Sequence, residues 1–367
     1  MAWEGERLKA LAKEKGTSLT RLAVLLNVSR QTVNDWIKGQ VPKGSHLMSI
    51  SKILDVPPSF FFPTQLSVNI SVPLHRKRGV AKITEAMRRE AEGLAKQYEK
   101  LFKWAPDPGL VPVLRIDHRD RKSAITMATR LRKLAGIETD KPMDYEHTFR
   151  LLASLGITTI FRYFPKDIKG YAFYCKIHKH RVVFVNNDTN LLDLIFPLLH
   201  ETIHAIRDEE DSVLGDPDEE KFCDMVANLI QFPNAYVKLV YNTIKGRRKP
   251  IQINLLKNFS AENSHSMFGI IEQLKELTPS LDLKVGGANT NLKKQFQSIG
   301  DILFKDKDAR RYVHILRTLS PLFIDIVARN ISKVTTRKVG EWLGLESQLD
   351  AKQVIDELQK ICSGVAS

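Results

Sequence analysis

Leu198-Leu-His-Glu-Thr-Ile-His-Ala-Ile206 sets two histidines four residues apart inside an apolar run. On a helix that spacing puts His200 and His204 on one face, a turn apart, so two imidazole nitrogens can converge on one metal ion. Glu201 stands beside them and need not be a ligand. Its carboxylate can take the proton of a metal-activated water, the general-base role in metal-assisted hydrolysis. The competing reading is a pair of histidines on a surface helix.

A catalytic zinc requires three protein ligands and one open position. The segment from Asp216 to Pro233 reads as an amphipathic helix with an acidic start and supplies the third ligand. Glu220 is assigned to that position, with Asp224, at i+4 on the same face, as the carboxylate that orients a ligand histidine. Glu219 is its rival; it sits about 100° round the helix, so only one of the two faces the histidines. Zn2+ is the expected metal, and Mn2+ is compatible with the same donors. No residue can be assigned from sequence to stabilise an oxyanion. Tyr171, His178, His180 and Tyr236 are candidates, each more readily explained by packing or solvent exposure.

Positioning these groups requires a scaffold. Ser123–Leu134 reads as a helix stopped by Gly136, and Asp144–Ser154 as a second, ending at Gly156. Ile157–Phe161 is rich in β-branched residues, and Gly170–Ile177 with Arg181–Val185 forms a hairpin turned at His178-Lys-His180. A small antiparallel sheet beside two helices, one bearing the motif, is the expected scaffold of a zincin. The class is α+β.

The N-terminal stretch is a different unit. Arg7–Lys15 is a helix ending at Gly16, Ser18 caps a helix over Leu19–Leu26, and Ser29 caps a third through Lys38, stopped by Gly39. Asn27 takes the left-handed conformation that the tight turn between them needs. Val33, Trp36 and Ile37 face inward. Ser29, Arg30, Gln31, Thr32, Asn34 and Lys38 form the outward set, and their types suit the reading of DNA in the major groove. LAVLLNVSRQTVNDWIKG, followed by the helix Met48–Val56, resembles the Cro/C1-type (XRE) DNA-binding domain over residues 6–62. Asn27 stands where that family usually has Gly. A small helical bundle that binds protein is the alternative.

The net charge of +14 favours a polyanionic partner, DNA or RNA before a membrane, although Asp208–Glu220 runs against it. No apolar run is long enough to span a membrane. The start lacks the pattern of a secretory signal, and the three scattered cysteines suggest no disulfide framework, so a cytoplasmic setting is expected. His75-Arg-Lys-Arg78 reads as a solvated linker in preference to a cluster laid along phosphates. An amphipathic helix over Ile83–Phe102 follows, closed by Trp104–Gly109.

Residues 110–275 resemble the ImmA/IrrE family of metallopeptidases through Leu155-Gly-Ile157, VVFVNN, LLHETIH and EKFCDMVANLIQFP. Ile253–Leu274 resembles the helix-turn-helix-like unit that follows the peptidase helices in that family. Two positions depart from its pattern: Asp193-Leu-Ile-Phe-Pro197 replaces an Arg-aromatic pair, and Ile203 replaces a Gly, narrowing the space on that side. The resemblance implies a protein substrate, commonly a transcriptional repressor cut once in phage, mobile-element or stress regulation. The competing class is a DNA-binding repressor or toxin-antitoxin component whose peptidase-like domain is a sensor or inactive scaffold.

The C-terminal part reads as helical, with breaks at Lys245–Pro250 and Gly286–Asn289 and helices near Leu292–Phe304, Arg310–Asn330 and Lys352–Ile361. Val334–Gly344 is either a second helix-turn-helix-like element or, preferably, part of a core or homodimer surface. The expected domains are 1–64 (DNA-binding), 65–105 (helical linker), 106–240 (metallopeptidase), 241–300 (helix-turn-helix-like) and 301–367 (C-terminal helical).

Overall fold

The computed structural model describes residues 3, 5–56, 58–61, 70–71, 84–108, 118–168, 170–207 and 217–362, which fall into two units, Met1–Val68 and Asn69–Ser367. The basic cluster His75–Arg78, Pro57, Pro63, Gly109 and most of the acidic stretch from Asp208 lie outside the described residues.

The first unit contains α1 (Gly5–Glu14), α2 (Leu19–Leu25), α3 (Arg30–Ile37), α4 (Gly44–Leu54) and a 3₁₀ turn at Pro58–Phe61. The side chains of Ser18 and Ser29 accept from Arg21 N and Thr32 N, so two otherwise unpaired helix-start amides are satisfied where the sequence places a hydroxyl. Asn27 has φ 53°, which turns α2 into α3 within a few residues. Leu8, Leu22, Val33, Trp36, Ile50, Leu54 and Phe61 form the core. Trp3 Nε1 donates to Trp36 O at 2.7 Å.

The second unit opens with β1 (Ile70–Ser71), α5 (Glu85–Lys96) and α6 (Glu99–Lys103), then α7 (Arg121–Ala135) and α8 (Tyr145–Ser154). Next come β2 (Ile157–Arg162), β3 (Ala172–Ile177) and β4 (His180–Asn186), α9 (Ile195–Arg207) and α10 (Pro217–Gln231). Then follow α11 (Asn234–Ile244), α12 (Lys249–Glu262), α13 (Met267–Leu277), α14 (Gly286–Lys293) and α15 (Ile299–Leu303). The last helices are α16 (Ala309–Leu319), α17 (Pro321–Ala328), α18 (Thr336–Leu343) and α19 (Gln348–Cys362).

The sheet order is β1-β3-β4-β2, and the sheet is mixed rather than antiparallel. β3 and β4 form the expected hairpin, but β2 pairs parallel with β4, Thr159 opposite Val183. The chain leaving β2 therefore crosses to the far side of the hairpin before entering β3. β4 becomes a central strand, and the near-continuous apolar run Val182–Val185 is what burial on both faces demands. His180 belongs to β4, opposite Ile177, so the turn is His178-Lys179, with His178 at φ 54°.

Other elements differ from the sequence expectation, among them the Arg310–Asn330 helix, which is split into α16 and α17. The helix over Ile83–Phe102 is two helices, broken at the fully buried Tyr98, whose hydroxyl donates to Trp342 O at 2.9 Å. Ala91, Leu94, Leu101 and Phe102 build this segment into the core of the second unit. Gly286 starts α14 instead of marking a break. Thr335 does cap α18, which ends at left-handed Gly344 and commits Val339 and Trp342 to the main core.

α9 packs against β3 and β4, and α10 packs against both α7 and α9. A second cluster, including Phe232, Tyr236, Val240, Ile270 and Leu274, joins α11 to α14. His265 is fully buried there; Tyr236 Oη donates to its Nε2 at 2.7 Å, leaving Nδ1–H to donate to Ser260 Oγ and Ser266 O at 3.3 Å. Burial pushes its pKa down to about 4. The unfolded chain, with histidine near ~6.5, takes up this proton first, so the neutral ring's contribution is present above that value and lost as pH falls towards 4. The loss is expected to reach roughly 3 kcal/mol. Urea midpoints at pH 7 and 4.5 check this: His265→Gln should flatten the difference between them.

Candidate metal centre

His200 and His204 leave one face of α9 a turn apart, and their Nε2 atoms stand 3.1 Å from each other. Glu220, from the first turn of α10, reaches across with Oε2 at 3.5 Å from His200 Nε2 and Oε1 at 3.5 Å from His204 Nε2. All three residues are buried, and they form a group that can hold a metal ion. Two nitrogens on one tetrahedral zinc at ordinary bond lengths lie roughly 3.3 Å apart, so this N,N,O set fits a single ion with little adjustment.

The groups behind the donors are as specific. Asp224 Oδ1 lies 3.0 Å from His200 Nδ1, the carboxylate position that favours a proton on Nδ1 and a lone pair on Nε2. Glu201 is 2 % exposed, and Tyr174 N of β3 donates to its Oε2 at 2.9 Å, so the sheet fixes the carboxylate's orientation. Burial works against charge on His200, but the Asp224 and Glu220 carboxylates beside its two nitrogens and the nearby Glu201 charge outweigh it and lift its pKa to about 9. A proton and a metal therefore compete for this ring, and acid weakens metal uptake.

Glu219 is engaged by arginines and not by the His200–His204 pair. Arg207 holds it with two hydrogen bonds, Nη2 to Oε2 at 3.0 Å and Nε to Oε1, and Arg119 Nε lies 2.8 Å from Oε2. Two guanidinium charges on one carboxylate leave it poorly suited to a cation. Cys223 lies between this cluster and His204, its Sγ 3.6 Å from His204 Nδ1 and 3.5 Å from Glu219 Oε1. Burial raises the Cys223 thiol well above its ordinary range, with Glu219 and Glu220 adding to the effect and Arg207 opposing it.

A cleft of about 440 Å³ opens at His200 and Asp224, walled by Leu192, Phe196, Phe232 and Phe268. Tyr171 also lines it. The other oxyanion candidates are engaged elsewhere: His178 Nε2 is 3.3 Å from Glu99 O, His180 packs on Phe102, and Tyr236 bonds His265. Ile203 points into the core and does not line the cleft, so it does not narrow access as its replacement of a Gly suggests. Asp193 sits in the cleft wall, paired with Lys293. Pro197 falls in the first turn of α9, where its missing N–H costs nothing.

Sequence reading missed Arg207, Arg119, Cys223 and the Tyr174 amide. Arg207 follows His204 at i+3 and Cys223 follows Glu219 at i+4, spacings that signal a shared face. A backbone amide and a residue as distant as Arg119 leave no such signal.

In the first unit Arg30 and Gln31 of α3 and its C-cap Lys38 are exposed, and Thr32 and Asn34 are half-buried. Ser29 spends its hydroxyl on the cap and on Thr32 Oγ1 at 2.8 Å, and Gln31 Nε2 donates to Asp35 at 2.8 Å. Residues 8–61 match the family model described as "Helix-turn-helix", which sets the class of this unit. The match supports an XRE-type helix-turn-helix domain, the kind that binds DNA. No curated protein and no solved structure matches the chain. No helix among the described residues is long and apolar enough to cross a membrane.

Proposed function

We propose that this chain is an XRE-type transcriptional regulator carrying a zinc-dependent endopeptidase, with a repressor-type protein as substrate. The observation that carries the reading is the facing pair of Nε2 atoms at 3.1 Å with the Glu220 carboxylate 3.5 Å from each. His200, His204 and Glu220 would hold the metal, which supplies Lewis acidity for a carbonyl and lowers the pKa of water. Glu201 takes the proton of the attacking water at its carboxylate and passes it to the leaving amine. Asp224 keeps His200 in the tautomer that presents Nε2. The cleft beside His200 receives the polypeptide, its apolar walls excluding water and Tyr171 at its rim. On α3, Arg30, Gln31, Thr32 and Asn34 are assigned to base edges and Lys38 to phosphate, with Ser29 setting the helix start.

The test is incubation of the zinc-loaded full chain with an XRE-type repressor, followed by mass spectrometry. A single internal cut that disappears with a chelator supports the reading. An intact repressor in every condition, with the chain still bound to operator DNA, would favour a regulator whose second unit senses and does not cut.

A further inference from the structure

The two histidines of the centre are backed by different chemistry. His200 Nδ1 meets a carboxylate, Asp224, directly at 3.0 Å. His204 Nδ1 meets the sulfur of Cys223 at 3.6 Å, and that thiol lies 3.5 Å from Glu219 Oε1, itself held by Arg207 and Arg119. Cys223, Glu219 and Arg207 are buried, so none of these contacts is a surface accident.

We infer that Cys223 is a positioning residue for the metal, the middle link of a chain in which His204 Nδ1–H donates to Sγ and the thiol donates to Glu219. The inference rests on the metal reading above. A histidine can offer Nε2 to a metal only if its remaining proton sits on Nδ1 and is accepted there. Sulfur is a weak acceptor on its own, and donation of its own proton to Glu219 turns its lone pairs towards the ring. Arg207 and Arg119 fix the Glu219 carboxylate in place beside the thiol, so the guanidinium pair acts on His204 through two intermediates. The same three residues, His204, Glu219 and Cys223, lie close enough to be ligands themselves. The two arginines decide against that alternative, because a cation there would face two fixed positive charges at the carboxylate it needs.

The experiment uses the full chain. Zinc affinity is measured by competition with a chelator for wild type, Cys223→Ala and Cys223→Ser, with circular dichroism to confirm folding, and the cobalt-substituted proteins are examined by absorption. Loss of the outer support is expected to weaken zinc binding roughly 10- to 100-fold in Cys223→Ala. Cys223→Ser, whose hydroxyl can both accept and donate, is expected to recover most of that loss. Wild-type cobalt protein is expected to lack the near-ultraviolet thiolate-to-metal charge-transfer band. Equal affinity in Cys223→Ala and wild type would overturn the inference while leaving the metal reading standing. A charge-transfer band lost in Cys223→Ser would also overturn it, by making Cys223 a ligand. A wild-type chain that takes up no metal would overturn both.

Discussion

Replacing Glu201 by Gln is expected to leave metal content unchanged and to lower peptide cleavage by about 10²- to 10⁴-fold, the contribution of a positioned general base. The substitution is nearly isosteric. Glu201 is almost fully buried and its Oε2 accepts from Tyr174 N at 2.9 Å, a bond that the amide oxygen of Gln can still accept. The side chain therefore stays where it is and loses only its basicity. His200, His204 and Glu220 are untouched, so metal analysis of the variant separates a failed base from a failed site. Cleavage at the wild-type rate would remove Glu201 from the mechanism.

The second large effect falls on stability. Arg132 of α7 is 7 % exposed, and its guanidinium donates to Ile230 O at 2.6 Å, to Lys141 O at 2.7 Å and to Glu138 O. Burial lowers its pKa to about 10, with Asp140 opposing the shift, so the group stays charged at neutral pH. These bonds tie the C-terminal end of α10 to α7 and to the loop after it. Arg132→Met keeps much of the side-chain volume but leaves three carbonyls without this donor, at a cost of about 3–5 kcal/mol. A lowered denaturant midpoint for the second unit, with the first unit's transition unmoved, is the expected result. A change below about 1 kcal/mol would show that water or relaxation replaces the guanidinium.

The parts of the fold legible in sequence were those set by local chemistry. Ser18, Ser29 and Thr335 cap helices because a hydroxyl beside a helix start satisfies an amide that has no other partner. Asn27 and Gly344 take the left-handed conformation that their side chains, or lack of one, permit. The i, i+4 spacings of His200 with His204 and of Glu220 with Asp224 likewise come out as drawn, with each pair on one helix face and the two faces meeting. Long-range pairing was not legible. The apolar run of β4 fits either hairpin partner, and only the crossover from β2 decides that one side is parallel. Tyr98 breaks a continuous amphipathic pattern because its hydroxyl reaches Trp342 O far along the chain. The choice between Glu219 and Glu220 depends on Arg119, far earlier in sequence, and no helical periodicity could have resolved it.

The direct test of a metal centre at His200, His204 and Glu220 is elemental analysis of the full chain after equilibration with zinc and removal of excess ion, beside His204→Ala treated identically. The account predicts about one zinc per wild-type chain, as a single three-ligand site requires, and a large loss in the variant while its helical signal is retained. A wild-type chain that holds no zinc, or a variant that holds as much as wild type, would contradict it.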